Sequence, residues 1–182
     1  MKKQNYFVKS NYPRREGDFY PTIDSRCVQA LIETMPDLKK GLLIDPCAPT
    51  GSGIVDSLRA MGLKAKGTPD AFTKKLPAHS FFIVSNPPYK RGIVNQIIQR
   101  QIDRIATGEV LGVAMLLRST FDHAKIYMPL FSNCRLYAGQ IKLTFRPRWI
   151  KDSKGSPIHN YVWQIWQWDS CLKGFQTWVK YW

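Results

Sequence analysis

The chain has 182 residues, 44% of them apolar, which suits one globular domain and leaves too little for two. Lys and Arg number 27 against 13 Asp and Glu, a formal charge of +14, so an anionic partner is expected, nucleic acid ahead of a membrane surface. No run approaches the roughly 18 to 20 apolar residues of a membrane span. Cys27, Cys47, Cys134 and Cys171 form no C-x-x-C pair, which argues against a zinc ribbon and against a secreted disulfide framework. The basic start of the chain lacks the apolar core of a signal peptide, and a cytoplasmic setting without a membrane partner is expected.

Residues 1–18 read as a flexible basic arm. Val28, Leu31, Ile32 and Met35 then recur at helical spacing, predicting a helix over residues 24–35 that Pro36 ends. "GLLID" predicts a strand, "PCAPTGSG" a turn, and Ile54, Val55, Leu58 and Met61 a second helix closed by Gly62. "LKAKG" is a short strand candidate, and the continuous apolar run of "HSFFIVS" predicts a strand buried on both faces. Residues 91–106 form a helical pattern, with Ile93, Val94, Ile97, Ile98, Ile102 and Ile105 on one side and Arg100, Gln101 and Arg104 elsewhere.

Residues 110–117 predict another buried strand, and residues 122–128 a short helix stopped by Pro129. Two long β signals follow, 136–145 and 161–168, separated by the basic loop "RPRWIKDSKGSPIHN". Alternation of strands and helices predicts a doubly wound, mostly parallel α/β sheet with helices on both faces. The last two strands lack a helix between them and are expected to form a C-terminal antiparallel hairpin. Trp163, Trp166 and Trp168 are expected to pack in the core or at an interface, and His79, His123 and His159 share no metal-ligand spacing.

Two segments carry chemistry. The turn "DPCAPTGSG" lies between the first strand and its helix, where a doubly wound sheet binds nucleotide-like ligands. Gly51 and Gly53 permit close approach of the backbone, the helix start offers N–H groups to an anion, and Asp45 is an acceptor for an ammonium group. Such a turn alone is explained equally well by chain geometry. The second segment, Asn86-Pro87-Pro88-Tyr89, ends a buried strand in a turn made rigid by the fixed φ of two prolines. A rigid turn can aim the Asn86 side-chain oxygen and the Pro87 carbonyl at one NH2 group, with Tyr89 beside it to stack on a flat ring.

The pair "DPCAPTGSG" and "NPPY", together with "DFYPT" upstream, resembles the class I S-adenosylmethionine-dependent amino methyltransferases, above all the DNA adenine-N6 methyltransferases. The resemblance runs from about residue 18 to residue 168, and "NPPY" is its most specific part. It implies a Rossmann-like fold, S-adenosyl-L-methionine as cofactor, and methylation of the N6 amine of a flipped-out adenine in DNA, with catalysis by Asn86, Pro87, Pro88 and Tyr89. It implies cofactor contacts at Phe19, Tyr20, Thr22, Asp45, Pro46, Cys47, Ala48, Gly51, Gly53 and Asn86. Asp70 answers either to the family's ribose-binding acid or to the later aspartate at the cofactor adenine, with Phe72 beside that ring. Pro49 stands where the family's turn has its first glycine.

Nucleic-acid contacts are expected from Lys90, Arg91 and Arg118 near the pocket and from Arg146, Arg148, Trp149, Lys151 and Lys154 in the basic loop. No separate target-recognition domain fits into the remaining chain, so a homodimer or a partner subunit is a candidate for supplying that role. Related alternatives are methylation of an RNA adenine or guanine, glutamine-N5 methylation of a protein, and a non-catalytic nucleic-acid-binding relative.

Overall fold

A computed structural model describes residues 22–48, 53–73, 75–90, 92–150, 157–168 and 177–182. The strands are β1 (Leu42–Asp45), β2 (Ala65–Gly67), β3 (Ser80–Ser85), β4 (Gly112–Arg118), β5 (Tyr137–Lys142), β6 (Tyr161–Gln167) and β7 (Trp178–Tyr181). The helices are α1 (Arg26–Thr34), α2 (Gly53–Ala60) and α3 (Ile93–Ala106). Among the described residues the strands form one sheet in the order β2-β1-β3-β4-β6-β5-β7. β6 runs antiparallel to both β4 and β5, and every other pairing is parallel.

The period-two alternation of each buried strand sends its side chains to opposite faces, and each face meets its own helices. Leu43, Phe82, Val84, Ala114, Leu116 and Trp163 pack against α1 and α2. Ile44, Ile83, Val113, Met115, Leu117 and Trp166 pack against Val94, Ile98, Ile102 and Ile105 of α3. Trp163 and Trp166 lie three residues apart on β6 and therefore face opposite ways, both fully buried. The Trp163 indole N–H donates to the Cys27 carbonyl at 2.7 Å and that of Trp166 to the Leu130 carbonyl at 2.6 Å. One strand thus pins a layer on each face of the sheet. Trp168, by contrast, is 47% exposed.

The predicted α/β architecture and its antiparallel strand pair are present, with β6 lodged between β4 and β5. Three details differ from the sequence reading. The predicted helix at 122–128 is a pair of 3-10 turns, Phe121–His123 and Lys125–Leu130, with Pro129 inside the second. There Phe121, Leu130 and Phe131 are buried beneath Trp166, and this packing overrides local helix propensity. β7 was not anticipated; it pairs with β5 in parallel from Gly139 with Trp178 to Lys142 with Tyr181. Gln101 and Arg104, read as lying off the apolar side of α3, are both 0% exposed.

Replacing Trp163 by Phe removes the indole N–H and part of a fully buried volume, and lowers the unfolding free energy by about 2 kcal/mol. Trp168→Phe changes it by less than about 0.5 kcal/mol. Urea unfolding of the two variants measures the difference, and equal effects would contradict the packing described.

Candidate active site at the carboxyl ends of β1 and β3

The chain leaves β1 through α2 towards β2 on one side, and leaves β3 through α3 towards β4 on the other. The strand order therefore reverses between β1 and β3, and the crevice beyond their carboxyl ends is where such sheets bind ligands. Asp45 and Ser85 end these two strands, and the Ser85 hydroxyl donates to Asp45 Oδ1 at 2.7 Å. The same oxygen accepts the Cys47 backbone N–H at 3.0 Å, which turns the chain sharply after β1. Asp45 is only 4% exposed, so its carboxylate sits inside the seam.

Neighbouring segments close around it. The Ala48 N–H donates to the Thr68 carbonyl at 3.1 Å and the Thr68 N–H to the Asp45 carbonyl at 2.9 Å, lashing the β1 turn to the exit of β2. Cys47 packs with Ala71 and Ile97, which brings the Asp70–Thr73 segment against the turn. Within that segment Asp70 Oδ1 accepts the Phe72 N–H at 2.8 Å, while the Phe72 ring is 44% exposed. On the other flank, a Cβ on Gly53 would stand 2.2 Å from the Thr22 carbonyl oxygen, so only glycine lets α2 start this close to Thr22. Thr22 is itself buried, and its hydroxyl has no hydrogen-bond partner among the described residues.

The turn after β3 is held with equal firmness. Asn86 is 7% exposed and Pro87 is buried. Gly92, at φ +83°, makes the left-handed step that lets α3 begin just beyond, with the Ile93 N–H on the Lys90 carbonyl at 3.1 Å. Tyr89 is anchored: its hydroxyl donates to the Leu116 carbonyl at 2.7 Å, and its ring meets Tyr161 edge-on at 6.4 Å. Burial pushes the Tyr89 phenol well above its ordinary pKa. The Arg118 guanidinium lies 5.5 Å from the centre of the same ring, so the ring expected to stack on a base already carries a cation.

The candidate nucleic-acid residues divide. Arg118 and the exposed Lys90 border the Tyr89 turn. Trp149 lies 4.8 Å from Tyr161, so the basic loop joins that turn through a row of aromatic rings. Arg146 is engaged by Asn160 at 2.9 Å, and the Arg148 backbone N–H by Asp24 at 3.4 Å. Phe19, Tyr20, Pro49, Gly51, Arg91, Lys151, Lys154 and the arm 1–18 lie outside the described residues. Ser85 and Tyr161 were not singled out from the sequence, because each acts through a partner distant in the chain.

No protein-family model and no curated protein matches the sequence. Among solved structures, a Listeria monocytogenes protein assigned to the class I S-adenosylmethionine-dependent methyltransferases superposes with a TM-score of 0.53 at 11% identity, over 88% of this chain and 65% of that one. The fold is the class I methyltransferase fold. The chain spans less than two thirds of that neighbour's length. The 23S rRNA methyltransferase ErmE is a weaker neighbour, at a TM-score of 0.44 and 14% identity over 79% of this chain and 68% of that one. The described candidate residues Thr22, Asp45, Pro46, Cys47, Ala48, Gly53, Asp70, Phe72 and Asn86 gather along the seam between β1 and β3. Among the described residues no helix is long and apolar enough to cross a membrane.

Two outcomes test this geometry. Gly53→Ala forces α2 away from Thr22 and costs about 1–3 kcal/mol of stability, read from the shift in the urea midpoint; an unchanged midpoint would contradict the close approach. For Tyr89 the neutral phenol is favoured in the folded state, so stability is intact below the ordinary value of 10.0 and declines as pH rises from there towards the folded value. Tyr89→Phe therefore makes the alkaline loss of stability shallower, measured by chemical unfolding across that range, and an unaltered pH profile would contradict the buried phenol.

Proposed function

We propose that the chain is an S-adenosylmethionine-dependent methyltransferase that methylates the exocyclic N6 amine of adenine in DNA. The observation that carries this reading is the rigid, buried Asn86-Pro87 turn set beside Asp45 across the strand reversal, the two ends joined by the Ser85 hydrogen bond. The residues present suit the cofactor: a buried Thr22 hydroxyl with no partner among the described residues lies beside the start of α2, which Gly53 allows to approach the Thr22 backbone. At the other end an exposed aromatic ring, Phe72, stands next to the Asp70 carboxylate.

On this reading Thr22, Asp45 and the α2 start hold the amino-acid end of the cofactor, and Asp70 and Phe72 its adenosyl end. When bound, S-adenosylmethionine supplies an electrophilic methyl group on a sulfonium. The chain's own part is to hold the acceptor amine. The Asn86 side-chain oxygen and the Pro87 carbonyl accept its two N–H groups, which draws the nitrogen lone pair out of ring conjugation and aims it into the crevice. Burial excludes water and strengthens both hydrogen bonds. The φ of Pro87 and Pro88 fixes the acceptors before the substrate arrives, so little reorganisation is needed at the moment of transfer.

A base within a duplex reaches such a pocket only by leaving the stack, at about a few kcal/mol. The net charge of +14 supports a polyanionic substrate, and Lys90 and Arg118 beside Tyr89 supply cations at the mouth of the pocket. The "NPPY" sequence supports an amino nitrogen as acceptor and favours DNA adenine through the family resemblance.

The test is transfer of labelled methyl from S-adenosylmethionine to duplex DNA, single-stranded DNA, RNA and protein in parallel. Label is expected on DNA, and Asn86→Ala is expected to lower the rate by about 10²–10³-fold. Label on RNA or protein alone would overturn the substrate, and full activity of Asn86→Ala would overturn the site.

A further inference from the structure

We propose that Gln101 and Arg104 of α3 are positioning residues that fix the Asp70–Thr73 segment in the pose that receives the adenosyl end of the cofactor; this rests on the methyltransferase reading above. Ile97, Gln101 and Arg104 recur at i, i+4 and i+7, a stripe of α3 that faces this segment instead of the sheet. Ile97 packs on Ala71 and Cys47. Gln101 Nε2 donates to the Ala71 carbonyl at 2.8 Å, and Arg104 donates to the Thr73 carbonyl and pairs with Glu109.

Two features argue that the stripe does more than fill space. Burying an arginine and a glutamine completely is expensive, and Arg104 Nε and Gln101 Oε1 have no hydrogen-bond partner among the described residues. Apolar side chains would pack α3 there without that penalty, as Ile97 already does. What the polar pair adds is direction: the carbonyls on either side of Phe72 are both drawn into α3. The Phe72 N–H is held by Asp70, yet its ring is left 44% exposed. A large apolar ring on a backbone fastened at both neighbours is placed for a ligand. Because α3 begins immediately after the Asn86-Pro87 turn, one helix sets the distance between the two halves of the crevice.

The experiment is calorimetric binding of S-adenosylhomocysteine to the full chain as wild type, Gln101→Leu, Arg104→Met and Arg104→Lys, alongside thermal melting and methyl-transfer kinetics. If loss of one anchor leaves about a tenth of the molecules with the segment in the receiving pose, the apparent Kd rises about tenfold. The result expected is that rise in Gln101→Leu and Arg104→Met, a smaller one in Arg104→Lys, which keeps a donor for Thr73, and an unchanged KM for nucleic acid. Should Arg104→Met fail to fold, Gln101→Leu carries the same comparison, since it removes a buried polar group. Wild-type affinity in folded Gln101→Leu, or a rise in the nucleic-acid KM with the cofactor Kd unmoved, would overturn the positioning role while leaving the methyltransferase reading standing. Failure of the wild type to bind would overturn both.

Discussion

The hydrogen bond from Ser85 to Asp45 joins the two strands between which the order of the sheet reverses, and the candidate site is arranged around it. Asp45 is buried, and a buried carboxylate demands donors. Ser85 supplies one from β3 and the Cys47 N–H another from its own turn. Satisfying that demand fixes where the chain turns after β1 and where β3 ends. The Asn86-Pro87 turn follows directly from Ser85, so the acceptors proposed for an amino group inherit their position from the same bond.

A second layer of constraints keeps this seam rigid. Trp163 and Trp166, facing opposite ways on the one antiparallel strand, tie α1 to one face and the 3-10 segment before Phe131 to the other. Tyr89 then anchors the turn to β4 through the Leu116 carbonyl. The tyrosine serves first as a fastening of the turn, with Arg118 over its ring and Tyr161 at its edge. On the proposed function, a base that stacks there meets a cation that must share or yield the surface.

Much of this was legible in the sequence because its causes are local. A continuous apolar run broken by two prolines can end only in a stiff turn, and strand-helix alternation fixes the class of sheet. The features missed have distant causes. Gln101 and Arg104 carry polar groups and read as lying off the apolar side of α3, yet they are buried against backbone carbonyls some thirty positions earlier in the chain, at Ala71 and Thr73. β7 exists because β5 offers it an edge, and residues 121–130 adopt 3-10 turns because Trp166 covers them. The expected role of Asp45 as an acceptor is local and legible, but the donors that place its Oδ1, the Ser85 hydroxyl and the Cys47 N–H, are seen only in the fold.

The central claim is that the Asn86-Pro87 turn presents two acceptors to an amino nitrogen. It is tested most directly by nucleoside mass spectrometry of DNA and RNA after incubation with the protein and S-adenosylmethionine. The position of the methyl group on the modified base decides the matter. N6-methyladenine in DNA is the predicted product, and methylation at a ring carbon, or no methylated nucleoside at all, would contradict the claim.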